Sequence, residues 1–215
     1  MSYLILRNKI GIFFFYIYAA INGYTFRTAK KGELDEVFRF RWKTYSQEGY
    51  IKPENHLEKK FTDEYEDAST SFVALHRNEI IGTVRLTRNS AVGFPATNHY
   101  YVDLPHEISS PNSIAEIGRL MIATEHRGRR RIVAFGLAAQ FYEYSIRNAV
   151  AWWIVFMPEK LKSAFEKFGV HFKILPEKPL LESHINSRNL MPGYFVNNES
   201  KPMIANVPSI KVNFH

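Results

Sequence analysis

The stretch SIAEIGRLMIATEHRGRRRIVAFGLAA, residues 113–139, decides how the rest of the chain is interpreted. Its first part, from Ile114 to Ile122, is short, apolar and rich in β-branched residues, as buried strands are. From about Arg129 onward, apolar residues recur at the spacing of an α-helix. The stretch therefore predicts a strand, a tight turn and a helix.

Cations crowd the turn of this predicted unit, where Arg127, Arg129, Arg130 and Arg131 surround Gly128. The positive end of a helix dipole disfavours cations, so an anion should bind there. Free N–H groups at a helix start, with a glycine that allows close approach, predict a phosphate or pyrophosphate site. An arginine run that is only a solvated edge of the domain is the alternative.

Two ionisable residues, Glu116 and Arg119, interrupt the predicted strand. Charged groups in a central strand are costly unless they are paired or used in function, so both are candidate catalytic residues. A purely structural ion pair is the alternative. Strict alternation would point the two side chains to opposite faces. Both reach one cleft only if the strand bulges, and we predict that bulge at Gly118.

The Glu-Ile-Gly-Arg sequence at 116–119, followed by the arginine-rich turn, resembles the Gcn5-related N-acyltransferase (GNAT) superfamily. The similarity is strongest to the branch of acyl-homoserine-lactone synthases and long-chain N-acyl amino acid synthases, whose fourth strand carries Glu-x-Ser/Gly-Arg. This resemblance implies an α/β (α+β) fold, with a mixed central β-sheet flanked by helices and a splayed, bulged fourth strand. It covers about residues 24–175.

The resemblance also implies a reaction, the transfer of an acyl group from a thioester to an amine. Glu116 would be the general base, acting through water, with Arg119 beside it in the catalytic centre. The backbone near Met121 and Ile122 would polarise the thioester carbonyl. Such a transfer needs no nucleophilic side chain.

The arginine-rich turn departs from the pattern of the broad superfamily, in which Arg/Gln-x-x-Gly-x-Gly/Ala holds the pyrophosphate of coenzyme A. This chain matches at Arg127 but has Arg130 and Ile132 at the two glycine positions. The departure favours an acyl carrier protein as donor, because its acidic helix and single phosphopantetheine phosphate suit an arginine-rich turn. Acyl-coenzyme A is the alternative, in either case as a substrate rather than a tightly bound cofactor.

An acceptor pocket is implied by the helix predicted from about Glu33. Its Arg41, followed by aromatic residues and the sequence Glu48-Gly49-Tyr50, resembles the first helix of the same branch, which ends in a Glu-x-Gly-Trp/Tyr-like pattern. On that match Arg41 binds the acceptor, and Tyr45 and Tyr50 line its pocket. Aromatic stripes on a helix are more often part of the core, which is the alternative for the two tyrosines.

Two further acceptor residues are implied outside that helix. Asp67 lies in an acid-rich segment that resembles the one before the second strand of the branch, where Asp63 or Glu64 matches an earlier acid. A carboxylate here could hold the ammonium group of an amino acid or orient an arginine. Arg85, on the second arm of a hairpin predicted over 71–76 and 80–87, could bind a carboxylate in bidentate fashion if its face lines the cleft. An acidic surface loop and an ordinary strand arginine are the alternatives.

The composition is that of one globular domain of 215 residues, with 46% hydrophobic and 23% charged residues. A formal charge of +7 indicates anionic partners, although no nucleic-acid-binding signature accompanies it. The chain has no cysteine, so disulfides and thiolate metal sites are excluded. Its eight histidines lack a metal-ligand spacing, and we predict no metal.

Residues 1–23 differ from the rest of the chain. An apolar, aromatic run over 10–21 follows Arg7 and Lys9. It is shorter than the roughly 20 residues that span a bilayer, and it also resembles a signal peptide, an added strand or an upstream misread of the start codon. We predict a non-catalytic extension over 1–23 that contacts the membrane and a single acyltransferase domain over 24–215. A carrier-protein donor places the protein in the cytoplasm, where the extension could attach it to the inner membrane.

The second half continues with a strand at 151–157, a helix at 159–168 and a strand at 170–175. The long loop over 89–112 could cover the acyl pocket. Beyond Pro176, short apolar pieces such as 191–195 and 203–207 give no clear element.

These observations favour an N-acyl amino acid synthase. An acyl-homoserine-lactone synthase is the first alternative, although Gly118 stands where that family usually has Ser. A catalytically inert relative that binds an acidic protein or an anionic membrane is another. The absence of glycine at positions 130 and 132 argues against acetylation from acetyl-coenzyme A.

Overall fold

The computed structural model describes residues 3–95, 104–106, 108, 110–176 and 200–212. Residues 96–103, 107 and 109 of the loop over 89–112 lie outside the described residues, as does the apolar piece over 191–195. The helices are α1 (Tyr3–Ile21), α2 (Leu34–Gln47), α3 (Arg130–Arg147) and α4 (Glu159–Lys167). The strands are β1 (Tyr24–Thr28), β2 (Ser69–His76), β3 (Glu79–Arg88), β4 (Ile114–Ile122), β5 (Trp152–Met157), β6 (Lys173–Ile174) and β7 (Lys201–Asn206).

The seven strands form one mixed sheet in the order β1-β2-β3-β4-β5-β7-β6. β4 and β5 are parallel, and every other neighbouring pair is antiparallel. This arrangement confirms the predicted mixed sheet with flanking helices. The apolar piece predicted over 203–207 is part of β7, which inserts between β5 and β6, and β6 is shorter than the predicted strand over 170–175.

The two faces of the sheet have different partners. On one, the α3 face, Phe72, Val84, Ile117 and Trp153 join the main hydrophobic core with α1, α3 and α4. On the other, the α2 face, α2 packs against β2, β3 and β4. Side chains on a strand alternate between faces, so the neighbours of the core residues in β3 and β4 point to the α2 face. That face carries the polar residues of interest.

The bulge predicted in β4 is present. Arg85 pairs with Gly118 and Thr83 with Met121, so two residues of β4 lie opposite one of β3. The residue with the left-handed backbone is Arg119, with φ +57°, rather than Gly118. The bulge sits one position after the predicted one and brings Arg119 to the α2 face, where it meets Asp63.

β4 and β5 separate beyond the first half of β4. Their pairing runs from Ile114↔Trp152 to Ile117↔Val155 and ends there, although β4 continues to Ile122. β5 remains paired with β7 as far as Met157. A gap therefore opens between the second half of β4 and the end of β5, which is the predicted splay.

α1 packs onto the α3 face by one side only. Its inner stripe is Asn8, Ile12, Phe15 and Ala19, in which the Phe15 ring lies 4.5 Å from that of Phe135. Its outer stripe is exposed and apolar: Tyr3, Leu6, Ile10, Phe13, Phe14, Ile17, Tyr18 and Ile21. The stretch predicted as an apolar extension is thus a helix that shares the main core.

Candidate active site

Five charged residues on the α2 face form one buried network, the arginine–carboxylate cluster: Arg41, Asp63, Glu66, Arg85 and Arg119. α2, β3 and β4 each contribute one arginine, and the segment before β2 contributes both acids. Three guanidiniums face two carboxylates within the cluster, and Glu116 supplies a further carboxylate on the same face.

Asp63 is the centre of the cluster. Arg85 Nη1 donates to its Oδ1, and Arg119 Nη2 donates to its Oδ2, both at 2.5 Å. Burial raises the pKa of the Asp63 carboxyl, but the Arg119 and Arg85 guanidiniums outweigh it and hold that pKa well below its ordinary range. Asp63 is therefore an anion at any physiological pH, and it fixes the two arginines to each other.

Glu66 holds the deeper arginines. Its Oε1 accepts from Arg41 Nη1 at 2.8 Å and from Arg85 Nη1 at 2.6 Å, while Arg41 Nη2 donates to Ser71 Oγ at 2.7 Å. The Arg41 side chain has no exposed area, and burial lowers its pKa, opposed by Glu66. The Nε atoms of Arg41 and Arg85 have no hydrogen-bond partner among the described residues. Both arginines are thus enclosed within the cluster, with side-chain exposures of 0% and 2%.

Arg119 is the most exposed of the three arginines in the cluster. Its side chain is 15% exposed, against 2% for Arg85 and none for Arg41. Its guanidinium carbon lies 4.8 Å from the centre of the Phe61 ring. Burial lowers the pKa of Arg119, but Asp63 outweighs this and the net pKa is raised. Arg119 is thus a permanently charged donor at the border of the cluster.

Glu116 lies on the same face and next to the cluster. It pairs across the sheet with Thr87 of β3 on one side and with Ile154 of β5 on the other. Its Oε1 is 4.0 Å from the point where a Cβ of Gly118 would lie. The side chain is mostly buried, at 8% exposure. Glu116 therefore separates the polar part of the α2 face from an apolar part.

The apolar part is a cluster of Phe94, Ile114 and Ile154, with Trp152 and Phe156 packed against it. Leu104 and Ile108 from the long loop also contact it. The described part of this loop thus covers apolar surface next to Glu116, where the loop was predicted to cover the acyl pocket. Beneath α1, on the α3 face, is a separate apolar cavity of about 320 Å³, including space open to solvent, bordered by Phe135, Tyr142 and Trp153.

The predicted pocket aromatics lie together beside the cluster. Tyr45, 1% exposed, contacts the rings of Tyr50 and Phe61 at 6.2 and 4.9 Å. Burial raises the pKa of Tyr45, although Arg119 and Arg41 partly oppose the shift. Met121 packs on this aromatic group, whereas Ile122 packs against the main core on the other face.

Asp67 differs from the sequence interpretation. It is exposed, and among the described residues no ion pair or hydrogen bond involves its side chain. Asp63, the alternative match, and Glu66, which was not singled out, hold the arginines instead. The signal for Glu66 was present, because three arginines predicted to share one cleft need more than one nearby carboxylate.

The arginine-rich turn is helical rather than tight. A 3₁₀ segment over Thr124–Arg129 leads into α3, and Gly128, Arg129, Arg130 and Arg131 are exposed. Arg129 Nη1 donates to the Tyr24 hydroxyl at 2.8 Å, so it is oriented toward β1. The side chain of Arg127 lies outside the described part of the structure.

Metal ligands are not grouped in the part of the chain that the structure describes, where no set of three or more His, Asp or Glu side chains could hold an ion.

The strand order, the bulged β4 and the gap between β4 and β5 define a GNAT-fold N-acyltransferase, with Glu116 beside the gap. Solved structures support this fold. The structure of the acyl-homoserine lactone synthase BjaI with SAM and isopentyl-CoA matches this chain with a TM-score of 0.59 and 16% identity. The match covers 86% of this chain and 84% of the BjaI chain. The acyl-homoserine lactone synthase LasI reaches 0.60 at 11% identity over 89% and 98% of the two chains.

The family to which the chain belongs is identified from its sequence. The model of the N-acyl amino acid synthase FeeM matches residues 36–169, and the chain belongs to this family of N-acyltransferases. The solved structure of FeeM from uncultured soil microbes covers 86% of this chain and 91% of its own, with a TM-score of 0.53 and 14% identity. No curated protein sequence matches the chain. The predicted relationship to the GNAT superfamily and to this branch is confirmed.

Proposed function

We propose that the chain is an N-acyl amino acid synthase that transfers a fatty acyl group from an acyl carrier protein to the amino group of an amino acid. The observation that carries this proposal is the position of Glu116. It lies between the arginine–carboxylate cluster, whose guanidiniums suit a carboxylate-bearing acceptor, and an apolar cluster beside the gap, which suits an acyl chain. The two substrates would meet at its carboxylate.

In the proposed reaction, the amine nitrogen bonds to the thioester carbonyl carbon, the carbon–sulfur bond breaks, and the thiolate leaves. Glu116 takes the proton of the amine through a water molecule. We assign polarisation of the carbonyl to backbone N–H groups near Met121 and Ile122. This assignment is supported by the register of β4, which has no β5 partner beyond Ile117 among the described residues.

For the acceptor, we assign carboxylate binding to Arg119 and a positioning role to Arg41 and Arg85. Arg119 is the most exposed of the three. A guanidinium has five N–H donors in a planar fork that suits a carboxylate. Tyr45 would contact the acceptor side chain from the aromatic group.

For the donor, we favour the carrier protein over acyl-coenzyme A because exposed Arg130 and Arg131 complement an acidic surface. An acyl-homoserine-lactone synthase is the weaker candidate, because the family that matches is that of N-acyl amino acid synthases.

The reaction is tested by mass spectrometry of lipid extracts from cells that express the chain, with the purified enzyme assayed for thioester cleavage. We expect an N-acylated amino acid with the wild type, and about 10²–10⁴-fold slower turnover with Glu116→Gln. Glu125→Gln, an exposed acid on the 3₁₀ segment, is the matched control and should keep full activity. A lactone product, or equal activity of Glu116→Gln, would contradict the proposal.

The donor is tested by comparing acyl carrier protein and acyl-coenzyme A of the same chain length. Arg130→Gln with Arg131→Gln should lower kcat/KM for the carrier protein more than for the coenzyme A thioester, and the difference should shrink at high salt. Lys173→Gln, an exposed cation on β6, is the control. Equal losses for both donors would argue against the carrier protein.

A further inference from the structure

We infer that α1 binds the surface of an anionic phospholipid membrane in the plane of the bilayer, through its outer stripe. The stripe is continuous: each of its residues lies three or four positions from another member, so they lie on one side of the helix. Exposed apolar patches of this kind mark interaction sites in soluble proteins. Phe13 and Phe14, at its middle, are 60% and 63% exposed.

The inner stripe determines how α1 can meet the bilayer. By length and composition α1 could cross a membrane, but signal sequences and buried helices of soluble proteins meet the same criteria. However, Asn8 is fully buried, its Nδ2 donates to the Tyr142 hydroxyl and to the Ile210 carbonyl, and its Oδ1 accepts from Val212 N–H. Crossing would break these bonds and expose the inner stripe. The helix therefore lies flat, with the folded domain beneath it and its outer stripe turned to the lipid.

The charges around the stripe select an anionic surface. The first acid in the sequence is Glu33, and five cations precede it: Arg7, Lys9, Arg27, Lys30 and Lys31. By helical periodicity, exposed Arg7 and Lys9 lie on opposite edges of the outer stripe. From there their side chains can reach lipid phosphates while the apolar residues enter the acyl region. Two copies of the protein packed stripe to stripe would instead bring these cations together.

The aromatic residues agree with the same placement. Tyr3 and Tyr18 stand near the two ends of the stripe, with the phenylalanines between them. Tyrosine suits the headgroup region, because it has an apolar ring and a polar hydroxyl. The stripe thus has the composition of an interfacial helix along its whole length.

The experiment is co-sedimentation of the purified full chain with vesicles of phosphatidylcholine, with or without phosphatidylglycerol. We expect binding to the anionic vesicles that weakens with salt. Phe13→Gln with Phe14→Gln should lower the partition coefficient by about tenfold or more. Arg7→Gln and Lys9→Gln should each lower it about fivefold on anionic vesicles, with little change on neutral ones.

The control for apolar loss is Leu57→Gln with Ile174→Gln, which changes two exposed apolar residues elsewhere. Circular dichroism and thermal unfolding should show that every variant is folded. Several results would overturn the inference: no wild-type binding to anionic vesicles, an equal loss in the control, or membrane-bound protein that resists carbonate extraction as a spanning helix does. Concentration-dependent dimers that the Phe13/Phe14 variant abolishes, without vesicle binding, would also overturn it in favour of a second copy.

Discussion

Arg119 reaches Asp63, 56 positions earlier in the chain, from a left-handed backbone conformation at the bulge of β4. Regular pleating would turn the Arg119 side chain to the α3 face, where the core is apolar. A left-handed conformation costs a non-glycine residue roughly 1–2 kcal/mol. The ion pair with Asp63 offsets this cost, and the strain lies next to the candidate catalytic residue.

Substitutions at Arg119 should separate the effect of the backbone conformation on stability from the effect of the guanidinium. Arg119→Gly removes the ion pair but accepts a positive φ, whereas Arg119→Val removes the ion pair and is strained there. We expect the valine variant to be less stable than the glycine variant by about 1–2 kcal/mol in urea unfolding. Both should lose acyl transfer. Equal stability of the two would show that the backbone at Arg119 relaxes without cost.

Asp63→Asn should be among the most destabilising isosteric changes in the protein. It leaves Arg85 and Arg119 buried without their shared anion, which typically costs about 3–5 kcal/mol. Asp67→Asn, four residues later and exposed, should change the free energy of unfolding by less than about 0.5 kcal/mol. Urea titrations of both variants check the contrast. A large effect of Asp67→Asn would instead favour Asp67 as the acid of the acceptor site, as the sequence predicted.

The stability should depend on pH through Glu33, at the start of α2. Hydrogen bonds from Arg27, opposed by burial, lower the pKa of Glu33 to about 2. A carboxyl whose folded pKa is depressed stabilises the fold above its unfolded pKa of about 4.3, and this contribution is lost as the pH falls toward 2. Glu33→Gln should thus cost about 1–2 kcal/mol at pH 7, allowing for solvent screening, and nothing near pH 2.

The matched control for Glu33 is Glu36→Gln, one turn away and exposed. Of the two variants, only Glu33→Gln should differ from the wild type in urea midpoint between pH 7 and pH 2. This difference should disappear at the acidic end of the range. A constant difference across that range would mean that the Arg27 pair contributes through packing rather than charge.

Gly136 allows α3 to approach β1 closely. A Cβ at this position would lie 2.3 Å from Cε1 of the Phe26 ring. Gly136→Ala should therefore destabilise the fold by about 1–3 kcal/mol, although alanine favours helices. Gly32→Ala, where no atom lies within 4 Å, should be nearly neutral. Thermal unfolding measures both, and a compensating Phe26→Leu change should restore part of the loss at Gly136.

Local pattern predicted most of the elements, because hydrophobic period and turn residues act over short distances. β4 has the predicted bounds, and α4 ends before Gly169, whose φ is +85°. The position of β7 could not be predicted in this way. Insertion between β5 and β6 depends on pairing with residues about 50 and 30 positions away, which no local pattern encodes.

For the candidate site, the sequence predicted the types of residue better than it predicted their contacts. The spacing in β4 required a bulge to bring Glu116 and Arg119 together, and the bulge is present. Which acid pairs with which arginine depends on how the segment before β2 folds back over the sheet. Asp63, Glu66 and Asp67 lie within five positions, so composition alone could not choose among them.

The bonds of Asn8 join the two ends of the chain, since their partners Ile210 and Val212 lie more than 200 positions later. During synthesis α1 leaves the ribosome about 200 residues before the segment that satisfies Asn8. The polar side chain of Asn8 therefore lacks these partners until that segment has been made. A nascent chain in that state is exposed to aggregation and to chaperone capture, and a lipid surface that holds α1 would shelter it meanwhile.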